Sequence, residues 1–318
     1  MRGFLRSLFV CTIQTSSPSR ALSLSVRMMS SRSPLIEART AFEQLYGKKD
    51  VVFVDATWRL GLDKKQCIDE HVSGRIPGSR YFNIEEICDR STSLPHMLPT
   101  ESQFAETMQN QFGISNSDHV IVYTHENSFG GPRCWWMLKI FGHERVSLLN
   151  GGFNAWRAIG GPIENGEKQQ DKRIGASYTA QLNKRMVVDA DHVLNVVETG
   201  SSQIVDARSL ARFRAEVPEP RANLFGGHIP GSLCLPFASL LKDNDYTSFK
   251  TEEEIRDAFK DAGVVFGATT ILTCGSGVSA AVLSVGLSII GKDLESCPIY
   301  DGSWSDWGRP EKCLPIAK

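Results

Sequence analysis

One feature limits what this chain can fold into more than any other: it repeats itself once. The apolar run Val51-Val52-Phe53-Val54-Asp55-Ala56 returns as Ile204-Val205-Asp206-Ala207-Arg208. Gly74-Arg75-Ile76-Pro77-Gly78-Ser79 returns as Gly227-His228-Ile229-Pro230-Gly231-Ser232, and Val120-Ile121-Val122-Tyr123-Thr124 as Thr270-Ile271-Leu272-Thr273-Cys274. Asn150-Gly151-Gly152-Phe153-Asn154-Ala155-Trp156 returns as Asp301-Gly302-Ser303-Trp304-Ser305-Asp306-Trp307. Four matches in one order, at offsets of 150 to 153 residues, imply two copies of one domain. The period is too long for a solenoid. It suits a chain of 318 residues split into two domains of about 150 residues each.

Each copy alternates short β-branched runs with helical stretches, which predicts α/β domains with a mainly parallel sheet covered on both faces by helices. The clearest unit spans 268–291: a buried strand over 268–273, a tight glycine-containing loop over 274–277, then an apolar helix over 279–290 stopped by Gly291. Thr251-Glu252-Glu253-Glu254 reads as a capping box opening the preceding helix. The polar stretch 164–176 reads as a linker between an N-terminal copy, 37–163, and a C-terminal copy, 177–318.

Residues 1–36 hold five arginines, nine serines and no acid. That composition predicts a mitochondrial targeting segment, with Phe4, Leu5, Leu8 and Phe9 on one face of an amphipathic helix. Initiation at Met28 or Met29 would give a cytoplasmic form. The formal charge is −1, so no basic face argues for nucleic acid. No apolar run is long enough to span a membrane. Eight cysteines lie scattered with no C-x-x-C pair, the pattern of free thiols rather than of a zinc site or a disulfide scaffold.

Cys274-Gly275-Ser276-Gly277-Val278-Ser279 sits where a strand meets a helix, the end of a parallel sheet at which sites form. Its glycines let several N–H groups converge on one centre, an arrangement suited to an anion. A thiolate is such an anion, so Cys274 is expected below the ordinary thiol pKa of about 8.5. On the local pattern alone, a catalytic thiol and a buried structural cysteine both remain open.

The repeated domain, the two Ile-Pro-Gly-Ser turns, the Cys274–Ser279 loop and Asp301-Gly302-Ser303-Trp304 together resemble the two-domain rhodanese superfamily over about residues 37–310. The neutral Gly275 and Ser276 resemble the branch that takes 3-mercaptopyruvate. Thiosulfate-using members usually carry two basic residues there. The resemblance implies sulfur transfer through a Cys274 persulfide, with no metal or organic cofactor. Thioredoxin, a small thiol or cyanide would be the acceptor. It implies that Arg212 and Arg221 hold the substrate carboxylate and keto oxygen. The N–H groups of Gly275, Gly277, Val278 and Ser279 would cradle substrate and persulfide sulfur. It also implies that Ser276, His96 and an acid form a proton relay. The matching acid is Glu85, one methylene longer than the family's Asp. From the residues alone His96 reads equally as a core histidine, and Arg212 and Arg221 as solvated surface arginines. Arg208, Arg75 and His228 read as structural. Thr124 stands where the first copy would need its cysteine, so that copy is expected to be silent. Thiosulfate:cyanide transfer and a non-catalytic binding module are the alternatives. A phosphatase would need an Arg at position 280, which is Ala.

Overall fold

The repeat is visible element by element in the computed structural model, which describes residues 33–61, 64–167 and 175–318. The first half runs β1 (Leu35–Glu37), α1 (Ala38–Thr40), β2 (Val51–Asp55), α2 (Lys64–Ser73), β3 (Arg80–Tyr81), α3 (Glu101–Glu106), β4 (His119–Tyr123), α4 (Gly130–Ile140), β5 (Val146–Asn150) and α5 (Gly152–Ala158). The second half repeats the alternation: β6 (Val187–Val188), α6 (Ala190–Thr199), β7 (Gln203–Asp206), α7 (Leu210–Phe213), β8 (Leu233–Cys234), α8 (Glu252–Asp261), β9 (Thr270–Thr273), α9 (Ala280–Ile289), β10 (Ile299–Tyr300) and α10 (Ser303–Trp307). Each half forms a five-stranded sheet, in the orders β1-β5-β4-β2-β3 and β6-β10-β9-β7-β8. All pairings are parallel. These are two tandem α/β domains of one plan, each a mainly parallel sheet flanked by helices.

Strands β4 and β9 are buried along nearly their whole length, as a parallel sheet covered on both faces requires. One face of each sheet packs into a core of its own. Trp156 and Phe153 fill the first; Trp304 and Trp307 fill the second. The other two faces share a single core, in which α4 packs against α9. Both helices are apolar nearly all round, the pattern of a helix with no solvent face. Residues 33–318 form one compact unit.

The turns also recur. Arg75, just before the first Ile-Pro-Gly, bridges antiparallel to Glu164, and His228, just before the second, bridges to Ala317. Each bridge ties the turn to the chain leaving its own half. The Thr251 capping box is present.

Three expectations change. Strand β1 starts at Leu35, inside the stretch set aside as a targeting segment, because Leu35 and Ile36 pair with Leu148 and Leu149. The rest of that segment, residues 1–32, lies outside the described residues. The stretch read as linker begins as part of the first half. Besides its backbone bridge, the Glu164 carboxylate accepts from the Gly78 N–H at 2.8 Å, and the Gly166 N–H donates to the Val72 carbonyl. Residues 168–174 lie outside the described residues. Strand β9 begins at Thr270 rather than 268, since Ala268 closes a turn onto the Val265 carbonyl. Among the described residues, no helix is long and apolar enough to cross a membrane.

Candidate active site

Cys274 follows the last residue of β9, between β7 and β10 in the second sheet. Its side chain is almost fully buried, and the loop beyond it is held from below by the first turn of α10. Ser303 Oγ accepts from the N–H groups of Cys274 (3.2 Å) and Gly277 (3.1 Å) and donates to the Tyr300 carbonyl (2.7 Å). The Trp304 N–H donates to the Cys274 carbonyl, and the N–H and hydroxyl of Ser305 both donate to the Gly275 carbonyl. Among the described residues, no protein acceptor takes the N–H of Gly275, Ser276, Val278 or Ser279. Four donors therefore remain for an anion.

Gly277 is a correction. It was expected among the substrate-binding N–H groups, but its N–H is taken by Ser303 and its carbonyl by Arg133. It turns the loop at φ +74°, and a Cβ there would lie 2.8 Å from Arg133 and 2.9 Å from Asp301. Glycine is needed for both reasons. The Val278 side chain points into the shared core, and Ser279 is the N-cap residue of α9.

The two arginines expected to bind substrate converge on Gly275. A Cβ at Gly275 would lie 3.1 Å from a terminal nitrogen of Arg212 and 3.7 Å from one of Arg221. They are not solvated surface groups. Arg212, on α7, makes a 2.5 Å ion pair with Glu219, whose other oxygen takes Arg208 at 2.9 Å. Burial pulls the Arg221 pKa below its ordinary value, opposed by the charge of Cys274 and reinforced by Arg212. A guanidinium still remains charged. Arg208 closes instead on Asp206 at the end of β7 and lies over the Trp304 ring, which is structural work.

The residues expected to form a relay come from the other half. His96 Nδ1 lies 3.0 Å from Ser276 Oγ, and His96 Nε2 lies 2.9 Å from Glu85 Oε1. The longer side chain of Glu85 thus reaches the imidazole. A carboxylate only accepts, so Nε2 carries the proton and Nδ1 is free to accept from the Ser276 hydroxyl. Ser276 Oγ in turn accepts from Arg221 at 3.2 Å. Trp58 Nε1 donates to Glu85 at 2.8 Å and its ring meets that of His96 edge-on. The His96 hydrogen bond outweighs burial and, with Trp58 and Arg221, lowers the Glu85 carboxyl to about 2.

Several residues here were not singled out beforehand: Ser303, Glu219, Trp58, Arg133 and Asp301. For Ser303 a signal existed. The copies match through Asn150-Gly151-Gly152 and Asp301-Gly302-Ser303. Gly152 (φ +54°) and Ser303 (φ +50°) share a backbone conformation. The hydroxyl appears only in the copy that has the cysteine. The first half also differs beneath its Thr124. There the buried Asp55, at the position of Asp206, is held by His71 (2.8 Å) and His125 (3.5 Å) instead of by an arginine. Among the described residues, no group of three or more His, Cys, Asp or Glu side chains is placed to hold a metal ion.

The model of the rhodanese-like domain matches residues 23–159 and 189–309. The chain is 39% identical over 248 residues to the 3-mercaptopyruvate sulfurtransferase of Escherichia coli K12, covering 78% of this chain and 85% of that protein. It is 36% identical over 287 residues to thiosulfate/3-mercaptopyruvate sulfurtransferase 1, mitochondrial, of Arabidopsis thaliana, covering 84% and 74%. The crystal structure of the Tum1 protein from Saccharomyces cerevisiae superposes with a TM-score of 0.77 at 32% identity, covering 89% of this chain and 97% of that one.

Proposed function

The chain belongs to the rhodanese family, as a two-domain sulfurtransferase working through a persulfide, and on that premise we propose that 3-mercaptopyruvate is its sulfur donor and Cys274 its sulfur carrier. The observation that carries this reading is the side-chain-free position at Gly275, next to Cys274 in the chain, over which Arg212 and Arg221 lie. A guanidinium pair of this kind suits a carboxylate next to a keto oxygen. A basic side chain at 275 would meet both arginines.

In the proposed reaction the Cys274 thiolate attacks the donor sulfur and forms an S–S bond. The C–S bond breaks, and its electron pair leaves with carbon as the enolate of pyruvate. The thiol proton of the donor passes toward Ser276 and His96 and is returned to the enolate carbon, giving pyruvate. Glu85 stabilises the imidazolium formed in between. The N–H groups of Gly275, Ser276, Val278 and Ser279 face the charge left on the outer sulfur. A thiol acceptor, thioredoxin or a small thiol, then takes that sulfur; cyanide would take it as thiocyanate. The half containing Thr124 serves as the non-catalytic copy and supplies His96 and Glu85, while 177–318 is the catalytic one. The acid-free, arginine-bearing composition of residues 1–36 supports delivery to the mitochondrion.

The deciding experiment compares kcat/KM for 3-mercaptopyruvate and thiosulfate with cyanide as common acceptor. A preference for 3-mercaptopyruvate is expected. Cys274→Ser should lose at least about a thousandfold in turnover with either donor, as expected when the nucleophile is removed. Retention of a tenth of the activity would overturn the assignment. Thiosulfate is the second reading: two guanidinium groups beside the thiol also attract a dianion, and the Arabidopsis relative is named for both donors.

A further inference from the structure

We propose that Arg133, on α4 of the first half, is a positioning residue that sets the register between His96 and Ser276. This rests on the functional reading above. Arg133 is fully buried and points out of its own half. One terminal nitrogen donates to the His96 carbonyl at 2.6 Å. The other lies 2.7 Å from Asp301 Oδ1 and donates to the Gly277 carbonyl at 3.3 Å. The contact with Asp301 is a close charge pair without the alignment of a hydrogen bond, since that oxygen has no hydrogen-bond partner. The other Asp301 oxygen accepts from the Leu98 N–H at 2.8 Å. The guanidinium plane rests on the Trp136 ring, 4.6 Å from its centre.

One planar cation thus touches the loop that carries His96, the loop that carries Cys274 and Ser276, and the turn that carries Ser303. His96 needs such a hold. Its backbone is in the left-handed region, φ +61°, which an L-residue keeps only when its surroundings fix it. The carbonyl Arg133 grips is that of the strained residue itself. The planar fork presents two nitrogens in fixed geometry, one to the His96 carbonyl and one to the Gly277 carbonyl; lysine offers a single nitrogen on a flexible stem. Arg133 touches neither thiol nor imidazole, so it acts through His96.

The test is a double-mutant cycle on the full chain between position 133 and His96, reading cyanide-coupled turnover with 3-mercaptopyruvate and with thiosulfate. Arg133→Lys keeps a charge for Asp301. Arg133→Met with Asp301→Asn leaves no buried ion unpaired and still offers an oxygen to Leu98, so a folding failure of one variant does not end the test. Melting temperature monitors the fold. We expect kcat to fall roughly 10- to 100-fold with KM within about threefold, as a misplaced relay would give. In the His96→Ala background the same changes should lower kcat by less than about threefold, because their route is already gone. A fall that persists undiminished in that background, or no fall at all, would overturn the role of Arg133 while leaving the donor assignment intact. A wild-type chain inert toward both donors would overturn the functional reading and this one with it.

Discussion

Arg212 shows how a single side chain is prepared for its partner. Glu219 holds it on one side, with Arg208 sharing that carboxylate, so it reaches the loop already oriented. A charge-assisted hydrogen bond contributes about 1.5–3 kcal/mol, so Arg212→Ala should lower kcat/KM for 3-mercaptopyruvate about 10- to 100-fold. Steady-state kinetics with a fixed acceptor measures this, and an unchanged KM would contradict the anchoring role. Glu85 gives a prediction in pH. Its folded-state pKa is about 2, below its ordinary value of 4.5, so the native state favours the ionised form. That stabilisation is fully present above about pH 4.5 and is lost as pH falls through about 2. The melting-temperature difference between wild type and Glu85→Gln should therefore shrink steadily as pH falls below about 4.5. A difference that grows on acidification would refute the direction of the shift.

At the scale of elements, the loop over 274–279 has its shape imposed by α10. The Ser303 hydroxyl is the shared acceptor for two buried N–H groups. Ser303→Ala would orphan both, and at about 1–3 kcal/mol for each buried donor the loss is roughly 2–6 kcal/mol. Denaturant titration should show a lower midpoint at unchanged m-value. Periodicity and punctuation were enough to find β9, the loop and α9, because a buried strand, two glycines and an apolar helix each have a local signature. Cys274 stands out from the loop pattern itself; Ser276, Arg212, Arg221 and His96 rest on the resemblance, since the residues themselves leave each open to a structural role. Ser303 and Glu219 escaped because their partners lie elsewhere in the chain: the repeat alignment marks Ser303 as different from Gly152 but does not say what its hydroxyl will face, and an acid between prolines says as little. Gly277 was misread for the same reason. Its N–H looked available in sequence and is already bonded across 26 residues.

At the scale of the whole molecule, the two-copy plan was legible from the repeat, but the way the copies meet was not. Trp135, Trp136 and Met137 of α4 and Val282, Leu283 and Val285 of α9 sit in one cluster, and no pattern within either copy distinguishes a shared core from a private one. The consequence is cooperative unfolding. Trp136→Ala, at a fully buried position, should cost about 3–5 kcal/mol. Calorimetry should still show one transition, displaced as a whole, with the loss of both halves coincident. Two separated transitions would mean that the halves stand alone.

The division of the reaction centre between halves also has a bearing on time. A chain is made from its N-terminus, so His96, Glu85 and Arg133 exist well before residue 274 has been added. The loop of Cys274 and Ser276, when it appears, meets His96 and Arg133 only once both halves have closed on each other. A growing chain therefore lacks the assembled cluster, and on the proposed reading sulfur chemistry waits until both halves have been made and have closed on each other.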